Sequence, residues 1–340
     1  MKVDLFDYNL PENKIAQAPV RPRERAKMLV YSREADRILD RTVADLPSFI
    51  RSGDLLVFNV SKVRHARLMG VRQSDGKEIE ALILKSLSKD GQFECLLRGK
   101  NIEIGEKIRF DDVHCEIINK LTDGMGRFII QTNLSSPDFI LFCEEFGHLP
   151  LPPYIHNPQL AGFEDELYQP ITAKILGSVA APTASLHFSP ELLEKLKQGG
   201  VKTAEVILHV GLGTFLPVRV ENTNDHVMHS EAVEVSQAVI DLIHQTKANG
   251  GRVVAVGTTV ARALESAGNQ PYFGETNLFI TPGYRFKVVD CLLTNFHQPK
   301  STLLMLVSAL TGRTKLFDLY DHAQKSNYRF LSFGDCMLII

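Results

Sequence analysis

The chain has 340 residues, 44% of them hydrophobic and 23% charged, and a formal net charge of −2. That is the composition of an ordinary globular protein with room for two domains; no apolar run reaches the ~20 residues of a membrane span, and a uniformly basic nucleic-acid binder is excluded. Five cysteines without a CxxC pair argue against a disulfide framework or a zinc site, and the Met1-Lys2-Val3-Asp4 start lacks a signal-peptide pattern, so a cytoplasmic setting is expected.

In chain order, residues 28–31 and 54–58 read as buried strands, the second introduced by the break at Ser52-Gly53. From residue 66 to about 132 the pattern is all-β. Candidate strands at 78–84, 92–97 and 127–131 are separated by Asp75-Gly76, Asp90-Gly91 and Asp123-Gly124, and Asp-Gly between extended runs signals a hairpin because Gly takes positive φ cheaply. A helical period follows at 138–146, then a Pro-rich bend at 149–153. Residues 177–188 form a strand-like run of small residues. After it, Ser189 can cap a helix that Pro190 opens and Gly199-Gly200 closes. Ala204, Val206, Leu208 and Val210 alternate as one strand face. Residues 237–248 are helical, 253–256 are a continuous apolar strand, and 303–310 form an apolar helix behind Ser301-Thr302. The expected fold is mixed α/β: a large sheet with flanking helices from residues 1–65 and 135–340, plus an inserted small all-β, barrel-like domain at 66–134.

Several residues stand where chemistry is possible. The small-residue run ending at His187 lets a ligand approach the backbone, and the helix start after it offers unpaired N–H groups to negative charge. Gly257-Thr258-Thr259 sits at a strand-to-helix turn with Arg262 one turn further on. It reads either as an ordinary βα turn or as a carboxylate or phosphate site. His187, His209, His229 and His297 each lie in or beside a polar or small-residue motif. His226-x-x-His229-x-Glu231, with His209, leaves a metal site open. Lys300-Ser301-Thr302, downstream of Asn295 and His297, reads as a binding loop. Two basic segments, Arg21/Arg23/Arg25/Lys27 and Lys62/Arg64/Arg67/Arg72, are either solvated faces or RNA contacts. Neither a Gly-x-Gly-x-x-Gly fingerprint nor a P-loop is present, which removes the usual support for ordinary methyltransferase or nucleotide-hydrolase folds.

The stretch Ala180-Ala181-Pro182-Thr183-Ala184-Ser185-Leu186-His187-Phe188 closely resembles the signature of the S-adenosylmethionine:tRNA ribosyltransferase-isomerases of queuosine biosynthesis. So do Gly211-Leu212-Gly213-Thr214-Phe215, Met228-His229-Ser230-Glu231, Leu293-Thr294-Asn295-Phe296-His297 with Pro299–Leu304, and residues 328–335. The resemblance implies transfer and isomerisation of the ribosyl part of S-adenosylmethionine onto 7-aminomethyl-7-deazaguanine at the tRNA wobble position. The product is epoxyqueuosine-tRNA, with adenine and methionine released. The partners expected are that precursor tRNA and S-adenosylmethionine as co-substrate, with no metal, no membrane and a monomeric chain. Acid/base work then falls to His187 with His229 or Glu231. Thr183, Gly211, Gly213 and Thr214 become cofactor walls; Thr258, Thr259 and Arg262 anchor an anionic group; Asn295 and His297 bind cofactor; and Lys62, Arg64, Arg67 and Lys300 meet RNA. The chain departs from the family at Val60 and Lys62, where Asp and Arg are usual, at His65 for Pro and at Ser185 for Gly. Two alternatives stay open on the residues alone: a non-catalytic tRNA-binding protein and a metal-dependent hydrolase.

Overall fold

The computed structural model describes residues 1–121, 126–211, 213 and 217–340. Two units divide the chain: Met1–Lys62 with Pro152–Ile340, and Val63–Leu151. In chain order the strands of the first unit begin with β1 (Lys27–Ser32), β2 (Arg37–Thr42), β3 (Leu55–Asn59) and β4 (Ser61–Val63), where the chain leaves it. The second unit holds β5 (Arg67–Arg72), β6 (Glu78–Ser86), β7 (Gln92–Arg98), β8 (Lys107–Phe110), β9 (Val113–Lys120), β10 (Arg127–Thr132) and helix α1 (Ser136–Phe146). The first then resumes with α2 (Glu164–Tyr168), β11 (Ile175–Ser178), α3 (Pro190–Gln198), β12 (Lys202–Leu208), β13 (Glu231–Val235), α4 (Gln237–Ala248), β14 (Val253–Val256), α5 (Thr258–Ala267), β15 (Tyr272–Thr276), β16 (Cys291–Asn295), α6 (Thr302–Thr311), α7 (Arg313–Lys325) and β17 (Cys336–Ile339).

Nine of these strands make one sheet in the order β15-β13-β12-β3-β14-β16-β17-β1-β2. Its centre, β12, β3, β14 and β16, is parallel. Every residue of β3, β14 and β16 is buried, as expected for apolar runs covered on both faces. On one face lie Val239, Ile240, Val260, Leu264, Leu304, Leu316 and Tyr320 from α4 to α7; on the other, Leu192 and Leu196 of α3 with Val43 and Leu46. Because the four central strands run the same way, their C-terminal ends share one edge. On that edge lie Asn59, the 209–211 segment, Gly257 and Asn295. Glu231, which opens antiparallel β13, and Lys27, which opens β1, fall there too. In open parallel sheets this is the edge where ligands bind.

The second unit is a closed barrel, β10-β7-β6-β5-β8-β9. Its hairpins at Asp75-Gly76 and Asp90-Gly91 carry the glycines at φ +68°; the expected Asp123-Gly124 turn lies outside the described residues. Helix α1 belongs with this barrel, since Phe139 and Cys143 are part of its core. The expected boundary at 134/135 therefore falls too early. The helix at 136–146, expected with the α/β domain from residue 135, falls with the barrel, and the Pro-rich bend at 149–153 lies at the return to the first unit. The small-residue run is likewise no long strand. After β11 it turns at Pro182 into a 3-10 helix over Thr183–His187, with Ala184, Ser185, Leu186 and His187 all buried.

Candidate active site

Two groups of side chains lie along the C-terminal edge. The first forms where β16 ends. Thr183 donates to Asn295 Oδ1 (3.1 Å), and Asn295 Nδ2 faces His187 Nε2 (3.3 Å) and donates to the Leu331 carbonyl (3.2 Å). Asn295 thus ties the 3-10 turn to the loop before β17, and its amide makes His187 Nε2 an acceptor, which leaves the proton on Nδ1. His187 is fully buried, and burial together with the cations of Arg329 and Arg23 pushes its pKa down to about 3. It is therefore a neutral imidazole at physiological pH, with no proton to give as an imidazolium. His297 is similar: burial pushes it down to about 3. Its Nε2 lies 2.8 Å from Thr294 Oγ1, its N–H donates to Tyr320 Oη (2.8 Å), and its carbonyl accepts from Tyr8 Oη. A cleft of about 40 Å³ opens between Tyr154, Thr183, Asn295, His297, Leu331 and Ser332. That space admits a few waters.

The second group forms where β12 ends and β13 begins. Glu231 Oε1 accepts the Gly211 N–H (2.8 Å), and Oε2 is paired with Arg262 Nη1. Both side chains are almost fully buried, 4% and 3% exposed, and Arg262 Nε donates to the Leu278 carbonyl (3.2 Å). With both oxygens engaged, Glu231 holds the strand tip in place and is poorly suited to take a substrate proton. His229 is different. It is half-buried, with no hydrogen-bond partner among the described residues, and its ring lies over Gly213, where a Cβ would stand 2.1 Å from its Cδ2. His209 packs in the same way on Gly177. Thr214 of the expected cofactor wall, and the rest of its motif at Leu212 and Phe215, lie outside the described residues. From β13 to β16 is four strand spacings, about 19 Å along the edge at ~4.8 Å each. Between them, Gly257, Thr258 and Thr259 open α5.

A side-chain network that the sequence reading missed fixes the β12 tip. Asn59 Nδ2 donates to the Leu208 carbonyl (2.9 Å) while its Oδ1 accepts from Leu208 N–H and Ser61 N–H (3.1 Å each). Ser178 Oγ donates to Ser61 Oγ (2.8 Å) and accepts from Val210 N–H (2.9 Å). An Asn closing an otherwise apolar strand was the available signal. At the family's Asp position, Val60 is buried and works through its main chain, accepting from Lys174 and Ile175 N–H. Ser185 is buried with its hydroxyl unpartnered, and His65 Nδ1 bonds the Glu144 carbonyl (2.8 Å).

The expected RNA cations separate. Lys62 is exposed. Arg64 instead turns inward onto the carbonyls of Ile83 (2.9 Å) and Leu84, and burial lowers its pKa. Arg67 pairs with Glu80 (3.1 Å). Lys300, at φ +55°, pairs with Asp4 (2.8 Å) and Asp7 (3.1 Å). Among the described residues no group of three or more His, Cys, Asp or Glu side chains is arranged to hold a metal ion, and no helix is long and apolar enough to cross a membrane.

The family model described as "Queuosine biosynthesis protein" matches residues 3–339. Curated proteins named S-adenosylmethionine:tRNA ribosyltransferase-isomerase are similar along the whole chain: 46% identity over 344 residues in Francisella philomiragia and 47% over 348 residues in Halothermothrix orenii, each covering 100% of both chains. The crystal structure of the S-adenosylmethionine tRNA ribosyltransferase from Thermotoga maritima is 36% identical and superposes with a TM-score of 0.57, covering 99% of this chain and 100% of that one. The chain belongs to the queuosine biosynthesis protein family.

Proposed function

We propose that this chain is an S-adenosylmethionine-dependent tRNA ribosyltransferase-isomerase, working in the cytoplasm as a monomer on tRNA that carries 7-aminomethyl-7-deazaguanine at the wobble position. The observation that carries the reading is that the motifs at residues 180–188, Gly211, Gly213, 228–231 and 293–297 lie along the edge of one sheet where its parallel central strands end. Full-length similarity to enzymes bearing that activity supports it.

The chemistry asks for a base, an acid and tight placement. The sulfonium acidifies the C5′ protons of the substrate, and a base at that carbon gives an ylide. Protonation lets adenine depart, and the aminomethyl nitrogen attacks C1′. His229, half-buried beside Gly213 and without a hydrogen-bond partner among the described residues, is the side chain best placed to move a proton. His187, neutral and held by Asn295, presents its Nδ1–H as a hydrogen-bond donor to substrate, and Thr183 and Asn295 wall the same end. Glu231 and Arg262 are positioning residues: they fix Gly211 at the strand tip. Wobble-base chemistry requires an unstacked nucleotide in a single-stranded loop, which RNA enzymes read by contacts to splayed bases and backbone.

The test is incubation of purified protein with S-adenosylmethionine and precursor-bearing tRNA. Release of adenine and methionine in step with a heavier tRNA nucleoside is expected. Binding of tRNA with no consumption of S-adenosylmethionine would instead favour the non-catalytic alternative and sink this reading.

A further inference from the structure

Helix α5 begins without a cap. Its N-cap residue is Gly257, at φ +100° and ψ 154°, which supplies no side-chain hydrogen bond, and its first turn holds no acidic residue. By contrast Ser135, Ser189, Ser236 and Ser301 accept the N3 amides of α1, α3, α4 and α6. The Gly257 N–H is satisfied by the Leu293 carbonyl, whereas the N–H groups of Thr258, Thr259 and Val260 have no partner among the described residues. A bare helix start is common and by itself shows nothing.

The side chains around it supply the independent observation. Thr259 is 7% exposed and its Oγ1 has no hydrogen-bond partner among the described residues. That hydroxyl is turned to the helix mouth, 3.6 Å from where a Cβ on Gly257 would stand. One turn later Arg262, 3% exposed, leaves Nη2 equally unpartnered while its Nη1 is held by Glu231. Buried donors left unpaired are costly, at about 1–3 kcal/mol each, and need an explanation. The space in front of Gly257 admits at least a methyl-sized atom: the same Cβ would lie 3.5 Å from Ala184 Cβ, an ordinary contact. A carboxylate oxygen fits there.

We infer that the N-terminus of α5, through the Thr258–Val260 amides and the Thr259 hydroxyl, binds the carboxylate of the amino-acid arm of S-adenosylmethionine; this rests on the functional reading above. An N-terminal helix dipole and charge-assisted N–H bonds are suited to an anion, and the substrate's carboxylate is its only one. With the arm anchored at β14, the ribose and adenine extend along the edge towards Asn295 and His187.

The test measures binding of S-adenosylmethionine and of decarboxylated S-adenosylmethionine, which keeps the sulfonium and the amine, to the wild-type protein and to Thr259→Val and Thr259→Ser. The expected result is that wild type prefers the carboxylated form, that Thr259→Val weakens that form about tenfold and leaves the decarboxylated form within twofold, and that Thr259→Ser restores it. Equal affinity of the wild type for the two forms overturns the assignment, and needs no variant to fold. So does an equal loss for both forms in Thr259→Val. Should Thr259→Val instead lose only tRNA affinity, an RNA phosphate is the occupant and the assignment also falls. A wild-type protein that binds neither form but folds and binds tRNA sinks the functional reading itself, a different outcome from the others.

Discussion

The two edges of the parallel sheet are built to opposite rules. At the N-terminal edge the carboxylates of Asp54, Asp290 and Glu265 are matched. Asp54 accepts from Arg51 N–H, Arg252 N–H and the Arg252 guanidinium (2.7 Å), and Asp290 takes Val253 N–H (2.8 Å). Glu265 spends both oxygens on Tyr284 and on the N–H groups of Lys287, Val288 and Val289. At the C-terminal edge, buried donors on Thr259, Arg262, Ser185 and Thr302 stay unpaired, and two imidazoles are kept neutral. The first edge pairs its buried carboxylates, with the Thr246 hydroxyl left over, and holds the strands in place. The second carries more unanswered donors, which the proposed substrate would meet. Variants at the two edges should therefore separate stability from activity.

The largest separation is expected at His229. His229→Ala should cut turnover by roughly 10²–10⁴-fold, the range for a lost acid/base group, with little change in thermal midpoint, because the ring is half-buried. Adenine release against time, beside a melting curve, reads both. A fully active variant removes His229 from the proposed machinery. The opposite outcome is expected from Asp54→Asn, which strands the Arg252 guanidinium: a loss of about 3 kcal/mol in a denaturant titration, with S-adenosylmethionine affinity retained in the folded fraction. Burial alone would raise the Asp54 pKa, but the Arg252 bonds and the N–H groups of Arg51 and Arg252 outweigh it and hold it below the usual carboxylate range. Its stabilisation is thus present above about pH 4 and is lost as the pH falls through the lowered value.

The neutral imidazoles give a smaller effect per pH unit and a distinct window. His187 and His297 titrate at about 3 when folded and near 6.5 when unfolded, so between these values the unfolded chain binds more protons. Stability should fall as the pH drops below about 6.5, by up to about 1.4 kcal/mol per unit for each ring, until about pH 3. His297→Gln, which keeps a polar group for Thr294, should flatten that limb by one proton's worth. An unchanged slope would mean that His297 is not buried neutral in solution.

Much of this architecture was readable from local patterns. Helix α4 and strand β14 follow from apolar period and run length, the starts of α3 and α6 from Ser189 and Ser301, and the barrel hairpins from Asp-Gly pairs. The edge clusters were readable only as motifs. Nothing local says that Glu231 meets Arg262, because strand order decides which turn lies beside which helix, and β1 pairs with β17 across 308 residues, Met28 opposite Cys336. The burial of Arg64 was hidden for the same reason: its carbonyl partners belong to β6. Glu231 read as an acid/base candidate because a carboxylate in a polar motif looks the same whether its oxygens are free or engaged.

The smallest effects are expected at the cations and test how far charge runs can be trusted. Each phosphate contact removed lowers the slope of log affinity against log salt by about 0.7 for single-stranded RNA. Lys62 is exposed and has no hydrogen bond or ion pair among the described residues, so Lys62→Ala should weaken tRNA binding several-fold and reduce the slope by about that amount. Lys300 already has its charge answered by Asp4 and Asp7, and Lys300→Ala should leave the slope unchanged. Arg67, paired with Glu80, should behave like Lys300. Filter binding of precursor tRNA across a salt series separates the three. A slope lowered by Lys300→Ala would mean that RNA displaces Asp4 and Asp7 and that this lysine reads phosphate after all. Equal slopes for all three would make the second basic segment a solvated face, leaving the anticodon loop to be held by the edge alone.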